Sequence, residues 1–93
     1  MSLPTDIQNE SVWVFPMRYP LKVIGDSAHP MQRIVAELIQ GVIEDFDPAS
    51  LVSRASAGGR YVSVSAEFTF QNKEQVNRLY ADLAACPFIR LVL

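Results

Sequence analysis

The sequence is poor in the residues from which catalytic and metal sites are usually assembled. It holds a single histidine, His29, and a single cysteine, Cys86. One cysteine excludes an internal disulfide and fits a reducing compartment, so the cytoplasm is the expected location. A metal site needs several ligands at suitable spacing, and a nucleophilic cysteine needs a base and an electropositive setting. Neither pattern is present, so no catalytic residue, metal or cofactor is expected. Positive charge is also short. Eight Lys and Arg against ten Asp and Glu give a net charge of −2, which offers no general attraction to phosphate backbones or anionic lipid. No apolar run approaches the roughly 18 residues of a membrane span, and no basic segment followed by an apolar run opens the chain. Repeats, linkers and low-complexity stretches are absent.

What remains is a chain with 49% hydrophobic and 19% charged residues, the balance of a globular protein. Its 93 residues leave room for one domain. Such a chain buries only about 60–65% of its unfolded surface, so nearly every apolar stripe is needed in the core. The clearest stripe runs from Arg60 to Phe70. Val62, Val64, Ala66, Phe68 and Phe70 alternate with Tyr61, Ser63, Ser65, Glu67 and Thr69. Side chains of a strand point to opposite faces with period two, so this is a strand with a dry face and a wet one. Its length suggests a central place in a sheet.

The other elements fall in place around it. Met1–Ser11 is polar and aperiodic and reads as a flexible tail before a single domain over 12–93. Val12–Phe15 carries two large aromatics and reads as a strap lying across the domain. Tyr19–Gly25 is a first strand, with Pro20 confined to its start. From Met31, apolar residues at Ile34, Val35, Leu38, Ile39, Val42 and Ile43 mark one face of a helix that Asp45–Pro48 stops. Leu51–Ser56 is a weak edge strand, joined to the central one by a turn at Gly58-Gly59. Asn72 is a plausible N-cap for a second helix with the stripe Val76, Leu79, Tyr80 and Leu83, which Pro87 ends. Phe88–Leu93 is a last strand.

The order β-α-β-β-α-β has a simple solution. Right-handed crossovers put both helices on one face, and interleaving them gives an antiparallel sheet ordered 4-1-3-2. That is an α+β, ferredoxin-like sandwich.

Three stretches together resemble a known family. They are Phe15-Pro16 with Tyr19-Pro20-Leu21-Lys22-Val23-Ile24-Gly25, Ser56-Ala57-Gly58-Gly59-Arg60-Tyr61-Val62-Ser63-Val64, and Leu91-Val92-Leu93. The chain is similar, from Phe15 to Leu93, to the YbeD-like family of small bacterial proteins of unassigned function. The resemblance implies a ferredoxin-like fold akin to ACT domains, which bind amino acids and regulate enzymes. The loop before the first helix departs from the family pattern, being slightly longer with Asp26, Ser27 and His29. The resemblance carries over no catalytic residues.

Three places could bind something. The loop Gly25–Pro30, with Gly25, Asp26, Ser27 and His29, ends a strand and opens a helix, so backbone N–H groups and the helix dipole favour an anion or carboxylate there. Plain loop chemistry explains the same residues. The open face of the sheet gathers Lys22, Arg54, Tyr61, Ser63, Ser65, Glu67 and Arg90, with Ile24 and Val92 beside them. Lys22 and Glu67 are placed to form a cross-strand pair there. RNA-binding domains of this topology stack bases on two or three aromatics, and only Tyr61 is available, which argues against nucleic acid. The third place, Glu44, Asp45 and Asp47, is an acidic turn that suits solvent better than a cation. The expected protein is a non-enzymatic regulatory module for a small molecule or protein partner, with no membrane and with weak homodimerisation through its free edges. The alternatives are a purely structural interaction domain, an RNA-binding protein or an accessory subunit of an enzyme.

Overall fold

The alternation of Tyr61–Phe70 is realised as a strand of ten residues, and a second strand of equal length pairs with it along its whole length. The computed structural model describes residues 14–93. In chain order it contains β1 (Met17–Asp26), α1 (Met31–Gln40), a 3-10 turn at Pro48–Ser50, β2 (Val52–Ala55), β3 (Tyr61–Phe70), α2 (Lys73–Ala85) and β4 (Ile89–Val92). The sheet is antiparallel, in the order β2-β3-β1-β4. This is the expected ferredoxin-like sandwich, with both helices packed on one face of the sheet. The tail Met1–Ser11 and the Val12 and Trp13 part of the strap lie outside the described residues. Of the two described residues of the strap, Phe15 packs against the core and Val14 is 75% exposed.

The core lies between that face and the two helix stripes. Val64, Ala66, Phe68 and Phe70 of β3 meet Leu21 and Val23 of β1, Val35 and Ile39 of α1, and Val76, Leu79 and Leu83 of α2. One end of it is aromatic. Phe68 stands edge-on to Phe70 at 5.0 Å and to Phe46 at 6.0 Å, and Tyr19 lies 5.4 Å from Phe70. The hydroxyls of Tyr19 and Tyr80 share a hydrogen bond at this end of the core. Asn72 caps α2 by accepting from the Gln75 amide at 2.9 Å, as its position suggests.

Four details differ from the sequence reading. Helix α1 stops at Gln40, with Gly41 as its C-cap, rather than running on through Ile43. Glycine is a poor helix former, and Val42 and Ile43 reach the core from the turn that follows. Strand β1 begins at Met17, so Pro20 lies inside it and not at its start. Lys22 exchanges both backbone hydrogen bonds with Leu93, so the amides of even-numbered β1 residues point toward the β4 side. Pro20 is one step beyond the last of these pairs, and its missing N–H faces no strand among the described residues. The third detail is a bulge. Ile24 pairs with Leu91 but Gly25 with Ile89, leaving Arg90 as the extra residue. Val92, expected on the open face by simple alternation from Arg90, therefore pairs with Val23 and is buried. The fourth is an ion pair. Glu67, opposite Pro20, is diagonal to both Arg18 and Lys22, and its carboxylate bonds Arg18 at 3.2 Å in place of Lys22.

Two substitutions check this description. Phe68→Ala removes a ring that is 4% exposed and touches three others. It should lower unfolding free energy by about 3–5 kcal/mol in urea titrations, a large share for a domain this small. In the hairpin, Gly59 has φ +72 whereas Gly58 does not, and an added methyl meets nothing within 4 Å at either. Gly59→Ala should therefore cost about 1 kcal/mol, and Gly58→Ala should be neutral or slightly stabilising. Equal effects at the two positions would contradict the left-handed turn.

Candidate functional site: the open sheet face

The two faces of the sheet are set by one register. Val23 opposite Val64 faces the helices, so the neighbouring pairs Lys22–Ser65 and Ile24–Ser63 face away. On β2, Val52 stands opposite Ser65 and Arg54 opposite Ser63. On β4, Leu91 stands opposite Ile24, and Leu93 exchanges hydrogen bonds with Lys22. Residues directly opposite each other in an antiparallel pair share a face. The open face thus holds the expected Lys22, Arg54, Tyr61, Ser63, Ser65 and Glu67, and Arg90 reaches it from the bulge. Arg18, Val52, Leu91 and Leu93 join them. The alternation of β1, continued two residues back through Pro20, leads to Arg18. Leu91 and Leu93 could not be placed without the bulge.

The small serines of β3 form the floor of a shallow groove, walled by Lys22 and Ile24 on β1 and by Val52 and Arg54 on β2. It consists of two adjoining hollows that share Lys22. One, of about 550 Å³, is lined by Pro20, Val52, Ser65, Glu67 and Leu93 among others. The other, of about 170 Å³, is lined by Ile24, Arg54, Tyr61 and Ser63. Val52 is 65% exposed and Leu93 58%, so apolar surface stands in water here. The ion pairs lie at the ends of the face, Arg18 with Glu67 at 3.2 Å and Arg90 with Asp26 at 3.6 Å. Both side-chain carboxylates of the face are engaged in this way. Among the described residues, Lys22 and Arg54 are in no ion pair.

The loop Gly25–Pro30 is drawn together differently. Gly25 is covered by the Met31 side chain, since an added Cβ would lie 2.5 Å from its terminal methyl. The Ser27 amide donates to the Arg60 carbonyl, and the Ser27 hydroxyl to that of Gly59. The Ala28 amide donates to the Asp26 carboxylate at 2.9 Å, the His29 amide to the Asp26 carbonyl, and the Met31 amide to the His29 carbonyl. Every N–H from Ser27 to Met31 is therefore taken within the protein, because Pro30 has none. The His29 ring stacks on Phe88 at 3.7 Å and 19°. These bonds tie the loop to the β2–β3 hairpin and to the start of β4.

The acidic turn borders another cleft, of about 620 Å³, with Glu44, Asp45, Asp47, Arg18 and Gln75 in its lining. Asp47 accepts from the Ala49 amide at 3.0 Å and so caps the 3-10 turn. Among the described residues, no group of three or more His, Cys, Asp or Glu is placed to hold a metal ion. Cys86 is the C-cap of α2, its amide donating to Leu83. No helix of the described residues is long and apolar enough to cross a membrane.

The Ala28 amide, with help from the charges of His29 and Arg90, holds the Asp26 carboxyl below its ordinary 3.8, against a smaller opposing effect of burial. A carboxyl with a depressed folded-state pKa stabilises the fold fully above its unfolded value, and the contribution is lost as pH falls through the folded value. An NMR titration should therefore place the Asp26 midpoint below 3.8. Arg90→Gln should raise it only part of the way, because the Ala28 hydrogen bond remains. A full return to the ordinary value would show that the ion pair, and not the loop, sets it.

Known proteins resemble the chain along nearly all of its length. A UPF0250 protein of Hahella chejuensis is 36% identical over 90 residues, covering 96% of this chain and 99% of its own. One of Shewanella woodyi is 38% identical over 89 residues, covering 95% and 98%. The solution structure of HP0495 from H. pylori superposes with a TM-score of 0.69 at 13% identity, covering all of this chain and 98% of its own, a likeness of fold alone. The model of the family described as "Protein of unknown function (DUF493)" matches residues 10–93, and the chain belongs to that family.

Proposed function

We propose that the protein is a non-enzymatic binding module with a regulatory role, and that its working surface is the uncovered face of the sheet. The observation that carries this reading is the pair Lys22 and Arg54. Two cations without ion-pair partners among the described residues flank a groove whose other walls, Val52 and Ile24, are apolar. Cations beside exposed apolar surface are what a complementary partner can desolvate and neutralise together. The loop Gly25–Pro30 is a weaker seat for a small ligand, because its amides and the His29 ring are already engaged. The chemistry of an enzyme has little support, with the His29 ring against Phe88 and Cys86 at a helix end.

An NMR screen of the labelled protein tests the reading. The panel contains amino acids, small mono- and dicarboxylates, and short acidic and basic peptides. Shifts produced by a binder should cluster on Lys22, Ile24, Val52, Arg54, Ser63 and Ser65. Shifts centred on Ser27–Met31 would move the function to the loop, and a panel that leaves the face unperturbed would remove the proposal.

A further inference from the structure

We infer that the groove along β3 takes an extended, acidic polypeptide segment. The inference rests on the reading of the open face as the working surface and names its ligand class. The groove has the shape of a strand's bed. Its floor is Ser63 and Ser65, two small residues on one face of one strand, and its walls are the neighbouring strands β1 and β2. Flanking strands stand roughly 9–10 Å apart, and alternate residues along them are about 6.6 Å apart. A second extended chain has the same repeat. Lying along β3, it presents one side chain to the row of Lys22 and Val52 and the next-but-one to the row of Ile24 and Arg54.

Each of these rows carries one cation and one apolar residue, on opposite walls. The arrangement asks for a carboxylate at each of two alternate positions, with aliphatic carbon beside it. An acidic segment with alternate Asp or Glu supplies both.

Other occupants fit less well. The hollows are shallow, whereas a small molecule needs a concave site that encloses most of its surface. A nucleic acid would find, among the described residues of this face, a single aromatic, Tyr61, to stack on, in a chain of net charge −2. Among the described residues, a second copy placed face to face brings no side-chain carboxylate of this face outside an ion pair, since Glu67 is held by Arg18 and Asp26 by Arg90.

The test uses the full chain and a fluorescein-labelled synthetic dodecapeptide alternating Glu with Val and Thr. Its counterpart with Lys in place of Glu, and a polyuridine oligonucleotide, serve as comparison probes. Binding is followed by fluorescence anisotropy at low and at physiological salt. The acidic peptide should bind, more weakly at higher salt, and the lysine peptide should not. Lys22→Glu and Arg54→Glu should each weaken binding roughly fivefold or more. Arg78→Glu on α2, which changes net charge equally on the helix side, should leave it within about twofold. Melting curves confirm that each variant is folded.

Loss of affinity equal in all three variants would reduce the effect to overall charge and overturn the inference. So would an acidic peptide that fails to bind, oligonucleotide binding that maps to this face, or a dimer in sedimentation that Lys22→Glu dissociates. A metabolite that shifts the face while the peptide does not bind would overturn the acidic-segment inference and leave the binding-module reading intact.

Discussion

The pairing of β1 with β3 is the constraint from which the rest follows. It runs without interruption from Met17 opposite Phe70 to Asp26 opposite Tyr61. A strand's side chains alternate, so a slip of β1 by one residue against β3 would turn Leu21 and Val23 outward and bring Lys22 under the helices. The aromatic group at one end resists such a slip. Tyr19 packs on Phe68 and Phe70 across the pair and bonds Tyr80 of α2 by its hydroxyl. The same register that closes the core therefore also lines up Lys22 with Ser65 and Val52, and Ile24 with Ser63 and Arg54. Core and groove are two sides of one pairing.

Two helices can cover only one face of a four-stranded sheet, so the opposite face must be made compatible with water by its own side chains. At its ends this is done conventionally, with Arg18 against Glu67 and Arg90 against Asp26. Exposed pairs of this kind contribute little to stability. Their larger effect is to occupy the carboxylates, which leaves the middle of the face cationic. The loop after β1 belongs to the structural side of the division. Its hydrogen bonds to Gly59, Arg60 and Phe88 hold three connections together at one end of the sheet.

The fold was legible because its information is local and redundant. The alternation of β3, the stripe of α1, the cap Asn72 and the stop at Pro87 each point to the same topology. What was not legible depends on neighbours. Pro20 reads as a strand start until the reach of β4 is known, since it is tolerable only because no strand among the described residues lies on the side its missing N–H would face. Gly41 is visible in the sequence, but Val42 and Ile43 continue the helical period and stay buried, so the pattern alone does not show where the helix ends. Much of the open face could be read by counting in twos from Val64. Arg18 and Val52 were within reach of the same counting. The choice of Arg18 over Lys22 as the partner of Glu67 was not, because the two cations are placed alike in sequence and the outcome lies in side-chain conformation.

The bulge at Arg90 bears most directly on whether the open face is a surface the fold maintains. In an unbroken β4, the residues sharing a face would be Arg90 and Val92 on one side, and Ile89, Leu91 and Leu93 on the other. The unbroken strand could then have set all three of its larger aliphatic residues on the helix side. The observed register instead buries Val92 and leaves Leu91 40% and Leu93 58% exposed, the latter beside Val52 in the same hollow. Single exposed apolar residues need no explanation, but Val52 and Leu93 share one hollow, with Ile24 in the adjoining one. For a small domain that needs its apolar residues inside, a bulge that turns two leucines outward and sends Arg90 to Asp26 is a costly arrangement on stability grounds alone. Under the reading proposed above, a chain lying on this face would take Leu93, Val52 and the aliphatic stem of Lys22 out of water together.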